Sequence, residues 1–122
     1  MRVLKINPGK PPIPADIDNT LEALQEAVGG YIETVHINDR LVLVCNEEGK
    51  LRELPKNREL VWKLGEGEHR IIGARDTLHG DALIVGIRED EFRSLIAREQ
   101  WYLCNIFKDE EVDMTDEGMR FI

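Results

Sequence analysis

Long apolar runs are missing from this 122-residue chain. The longest, at 41–45 and 82–87, are of strand length, far short of the roughly 18–20 residues that cross a bilayer as a helix. A membrane partner is therefore not expected. The first residues, Met-Arg-Val-Leu-Lys-Ile-Asn, alternate charge with apolar side chains and lack the apolar core of about 7–15 residues that a secretory signal carries. Cysteine is scarce too. Cys45 and Cys104 are the only two, and they lie in different contexts. A small secreted domain held by disulfides carries more of them in even-numbered frameworks. The expectation is a cytoplasmic chain with two reduced thiols acting as small hydrophobes.

Positive charge is in deficit. The formal net charge is −8, and 89–117 holds ten of the 24 acids but only three of the 16 bases. Such a field repels phosphate backbones, so direct nucleic-acid binding is not expected. What is present in quantity is ordinary globular material: 42% hydrophobic and 33% charged residues, enough for one core and too apolar for disorder.

Along the chain, 2–7 reads as a first strand with Val3, Leu4 and Ile6 apolar. The prolines from Pro8 to Pro14 impose an extended connection. A helix follows, with Asn19 as N-cap, Glu22 at N3, a stripe of Leu21, Leu24, Ala27 and Val28, and Gly29-Gly30 as its stop. Next, 31–54 reads as a three-stranded meander. Its first hairpin turns near Asn38-Asp39 and sets His36 opposite Val42 and Cys45 opposite Glu33. The unbroken run 41–45 marks a strand buried on both faces, and 50–54 is its third strand. Residues 55–69 read as a short strand or helical turn and a loop. Strands at 69–74 and 82–88 flank a turn at 76–81. A second helix is expected over 90–107, where Phe92, Leu95, Ile96, Leu103, Ile106 and Phe107 share a stripe. Glu99 falls inside that stripe and Trp101 opposite it.

Strands and helices mix without alternating. The fold class expected is α+β: one mostly antiparallel sheet with two helices packed on one face. Residues 1–107 form the domain, and 108–122 form an acidic C-terminal tail, partly ordered at most, with Phe121 and Ile122 able to dock back.

Motifs with chemistry are few. Gly65-Glu66-Gly67 lacks the third glycine and the helix of a dinucleotide fingerprint. No Walker loop, nucleophile elbow, His-Glu-x-x-His or Cys-x-x-Cys occurs. His36, His69 and His79 stand apart; a site of His36 and His79 with Asp81 would need strand registers to unite them, and the plainer reading is surface residues. The expected hairpin keeps Cys45 away from His36. No metal, cofactor or catalytic residue is assigned, and an enzyme is the less favoured reading. Two places remain as candidate binding residues. After the Leu54-Pro55 turn, Asn57 and Arg58 can present rigid polar groups to a carboxylate or phosphate. Trp101, with Tyr102 at the stripe's edge, puts an aromatic on the polar face of a helix, as interfaces do.

Five blocks in order, Asp16-Ile17-Asp18-Asn19-Thr20-Leu21-Glu22-Ala23-Leu24-Gln25, Val28-Gly29-Gly30-Tyr31-Ile32-Glu33, Leu43-Val44-Cys45-Asn46-Glu47-Glu48-Gly49-Lys50, Leu54-Pro55-x-Asn57-Arg58 and Gly80-Asp81-Ala82-Leu83-Ile84-Val85-Gly86, resemble an uncharacterised domain family frequent in phages and integrated mobile elements of Gram-positive bacteria. The resemblance covers roughly 2–95. It implies a mobile-element setting and a compact domain, and brings no catalytic residues. The function expected is a non-enzymatic interaction module binding a host or phage protein, or itself as a homodimer. The alternatives are a small-ligand binder or enzyme using the 54–58 loop, and an acidic DNA mimic.

Overall fold

Val3, Leu4 and Ile6 place the first strand, β1 (Arg2–Ile6), at the centre of the molecule, where all three are fully buried. The computed structural model describes residues 1–65 and 67–122, apart from the side chains of Arg120 and Phe121. The chain turns at Gly9 (φ 68°) and returns as β2 (Ile13–Asp16), antiparallel to β1. Pro14 is tolerated because β2 is an edge strand, where a missing amide donor leaves no ladder bond unmade. Helix α1 (Leu21–Val28) follows. Its N-cap is Thr20, whose Oγ1 accepts the Ala23 amide at 3.1 Å, while the expected cap, Asn19, donates instead to Phe92 O at 2.9 Å. Gly29 ends the helix in the left-handed conformation, φ 77°.

Strands β3 (Ile32–His36) and β4 (Leu41–Asn46) pair in the expected register, His36 opposite Val42 and Glu33 opposite Cys45. Every residue of β4 is buried. The two apolar faces of β4 divide the core. Val42 and Val44 join Leu24 and Val28 of α1, whereas Leu41, Leu43 and Cys45 face the other way. The meander stops there. Residues 47–54 are not a third strand but a run of turns, with Arg52 N bonded to Glu48 O and Leu54 N to Gly49 O, a positive φ at Glu53 and Leu51 pointing into solvent.

The stretch read as a short strand and loop is instead β5 (Lys56–Leu64), which pairs with β6 (Ile71–His79). Strand β6 runs through Asp76–His79, expected as a turn; the turn is Gly80 (φ 79°) and Asp81. After β7 (Ala82–Arg88), positive φ values at Glu89 and Asp90 close a hairpin to β8 (Glu91–Arg93). The second helix therefore begins late, as α2 (Ala97–Ile106), and Phe92 leaves its stripe for the α1 side of the sheet. The segment after Lys108, expected at most partly ordered, forms β9 (Glu111–Asp113), parallel to β5, and buries Val112, Met114, Met119 and Ile122.

The class is α+β, but the layers differ from those expected. A first sheet runs β2-β1-β7-β4-β3, with β8 also on β7, and a second runs β6-β5-β9. Helix α1 covers one face of the first sheet. On the other face, Leu103 and Phe107 of α2 share a core with Leu60 and Leu78 of the second sheet and with Val112, Met114 and Met119. The helices thus lie on opposite faces, because β1, β4 and β7 are apolar on both sides and each side needs its own cover.

Candidate functional site

A bulge in β5 between Lys56 and Arg58 turns Asn57 and Arg58 inward together. Both are buried. Asn57 Nδ2 donates to Ile6 O (2.7 Å) and Gly80 O (2.8 Å), and its Oδ1 accepts from Arg58 Nη1 (2.9 Å). Arg58 further donates from Nε to Phe107 O (2.9 Å), from Nη1 to Asn7 O (3.2 Å) and from Nη2 to Lys10 O (2.7 Å). Burial lowers the guanidinium pKa, opposed by the nearby Glu110 carboxylate. The pair expected to meet a ligand is a clamp that ties the β1–β2 turn, the end of α2 and β5 together.

Trp101 is where the sequence put it, on the outer face of α2, with 70% of its surface exposed. Ala97, Arg98 and Asn105 surround it on the helix, and Lys108 follows just past the end; all are exposed. Within α2 itself the one carboxylate, Glu99, is buried, and the exposed Asp109 and Glu110 follow Lys108. The inner face holds the helix firmly through Leu103, Phe107 and Glu99. Burial alone would raise the Glu99 carboxyl, but the Arg93 guanidinium (2.9 and 3.0 Å) and the Ile96 amide (3.0 Å) outweigh it and its pKa is lowered. The odd acid in the stripe is thus a buried half of an ion pair. Tyr102 points elsewhere. Its hydroxyl donates to Asp116 Oδ1, its ring lies against Gly118, and burial followed by that carboxylate raises its pKa.

The acidity of the last quarter is partly turned inward. Besides Glu99, Asp113 meets Arg70 and Lys63, Glu111 meets Arg75, and Asp116 meets Tyr102.

The histidines stay apart. His36 lies in the β3–β4 hairpin, and His79 holds its Nδ1 3.0 Å from Leu54 O. Among the described residues, no three His, Cys, Asp or Glu side chains gather to hold a metal. Burial, then the Glu33 charge, pushes the Cys45 thiol up to about 11, the opposite of an activated nucleophile.

The chain belongs to the DUF3846 family, a domain of unknown function matched over residues 1–108. No curated protein and no solved structure matches the chain. Four of the five blocks that carry the resemblance meet at one corner, with Arg52 from the turns between two of them. There Asn46 Nδ2 donates to Val28 O (3.0 Å), Arg52 Nη1 to Gly29 O (3.1 Å) and Asn57 to Gly80 O. A Cβ on Gly49 would come within 2.9 Å of His79 O, and one on Gly30 within 2.9 Å of Asn46 Nδ2. Close backbone packing thus accounts for these glycines and amides. Beside this corner, between β3 and β6, opens a cleft of about 410 Å³ that the sequence reading missed, since it lies between two sheets where one was expected.

Proposed function

We propose that the protein is a non-enzymatic protein-binding module that docks an acidic surface of a partner protein on the outer face of α2, with Trp101 as the anchor. It would act as an accessory protein of a phage or mobile element, the setting that the resemblance implies.

The observation that carries this reading is the exposed indole on a helix pinned from beneath. A tryptophan gains more from burial than any surface residue around it, and rigid aromatic anchors dominate protein interfaces. The charge of the partner follows from the surroundings. Within α2 the exposed charged residue beside Trp101 is Arg98, whereas the helix's carboxylate, Glu99, is buried, so the helix face itself complements carboxylates. A small-ligand role for the 54–58 loop has less support, because the Asn57 and Arg58 donors are taken up by backbone carbonyls. A DNA-mimic role is weakened by the acids engaged internally.

The test is affinity capture from cells that carry the mobile element, using the wild type, Trp101→Ala and the double variant Arg98→Glu/Lys108→Glu. Trp101 is exposed, so its loss leaves stability within about 0.5 kcal/mol. A partner held by the wild type and lost by both variants is the expected result. An unchanged set of captured proteins with Trp101→Ala sinks the reading.

A further inference from the structure

The cleft between the two sheets has an apolar floor and a polar rim. Val35 of β3, Cys45 of β4, Leu60 of β5 and Leu78 of β6 form the floor, and Glu33, Glu47, Lys50 and Asp76 stand round the mouth. Cys45, Leu60 and Leu78 are buried core residues, so the floor is rigid. Its volume, about 410 Å³, falls within the range of small-molecule sites, roughly 300–1,000 Å³.

The rim is not electrically balanced. Lys50 is paired with Asp76 across the mouth, which neutralises both. Among the described residues, Glu33 and Glu47 form no ion pair, and although Lys50 also feels the charge of Glu33, the mouth sets three carboxylates against one ammonium. The register places Glu33 directly opposite Cys45, so one carboxylate stands next to the floor. Glu33, Cys45, Lys50 and Asp76 all line this one space.

We infer that this cleft binds a small amphipathic cation, an amine whose ammonium meets Glu33 and Glu47 while its apolar body lies on Val35, Cys45 and Leu78. An apolar body alone would leave the carboxylates idle, and an anionic one would be repelled by them. Because Cys45 lies on the floor, its accessibility reports occupancy. The site is separate from the α2 face and does not depend on it.

The experiment titrates the full chain with hexylammonium, hexanol and hexanoate, following methyl resonances of Val35, Leu60 and Leu78 and the rate at which a neutral thiol reagent labels Cys45. Hexylammonium should shift those methyls and slow the labelling, hexanol should do so more weakly, and hexanoate should do neither. Glu33→Gln/Glu47→Gln, both exposed and outside the core, should weaken hexylammonium roughly tenfold, as the loss of charge-assisted contacts predicts. The inference is overturned if hexylammonium leaves the methyls unmoved, if hexanoate binds as well, or if the double variant binds hexylammonium unchanged.

Discussion

Arg58 is a buried cation whose hydrogen-bonding partners are backbone carbonyls and one amide rather than a carboxylate. A guanidinium in this position is held by geometry: four of its N–H groups reach Phe107 O, Asn7 O, Lys10 O and Asn57 Oδ1 at once. Removing it leaves Phe107 O and Asn57 Oδ1 buried without that donor, while the part-buried Asn7 O and Lys10 O can turn to water; unpaired buried groups cost about 1–3 kcal/mol each. Arg58→Met should lower the unfolding free energy by about 2–4 kcal/mol in urea titrations. Arg58→Lys should rescue less than half of that, since a single ammonium cannot span the fork. A Lys variant as stable as the wild type would show that charge, not geometry, is what this position supplies. The two polar residues straight after a proline turn stood out in the sequence as candidates for a ligand contact. Their direction was not legible. Alternation sends neighbouring strand residues to opposite faces, and only the bulge at Lys56–Arg58 turns both inward.

At the scale of elements, the second sheet is held on its outer face by charge. Glu59 of β5 meets Thr77 and Arg75 of β6 and Lys56 of its own strand, while Asp113 of β9 meets Lys63 and Arg70. The Thr77 hydroxyl, with Lys56 and Arg75, holds the Glu59 carboxyl at about 2, below its ordinary 4.5. Burial would raise Asp113, but hydrogen bonds from Thr115 and the charges of Arg70 and Lys63 lower it. A carboxyl whose pKa is depressed by folding stabilises the fold above its unfolded value and ceases to do so as pH falls through its folded value. The melting temperature should therefore decline as pH drops from about 4.5 towards 2, and Glu59→Gln should flatten part of that decline in calorimetric scans. A variant with the same acid slope as the wild type would remove Glu59 from the account. Elements that declare themselves locally were readable: α1 through its stripe and glycine stop, and the β3–β4 hairpin down to its register. Strand β6 was not readable as one element. The strand expected at 69–74 is its first half, but Asp76-Thr77-Leu78-His79, turn-like in composition, become strand only through pairing with β5.

The distribution of charge takes a different meaning over the whole molecule. An acidic quarter that looks like a solvated tail is, in part, the complement of basic residues in the second sheet, and its charges guide a strap across an open edge. Strand β9 pairs with β5, and Val112, Met114, Met119 and Ile122 fill the core beside Phe107 and Leu60. Sequence reading could see the acids but not their partners, because Arg70, Arg75 and Lys63 lie far back along the chain. The family match ends at residue 108, just before this strap begins, so the matched region of this chain relies on a segment outside it. Four apolar side chains buried at about 1.5–3 kcal/mol each amount to much of a typical domain stability of about 5–15 kcal/mol. Deleting 109–122 should therefore abolish cooperative unfolding and flatten the near-ultraviolet dichroism of the half-buried Trp62. Met114→Ala, a milder version of the same loss, should cost about 2–4 kcal/mol and leave the transition two-state. A shortened chain that melts as high and as sharply as the full one would mean that the strap merely rests on a core already complete without it.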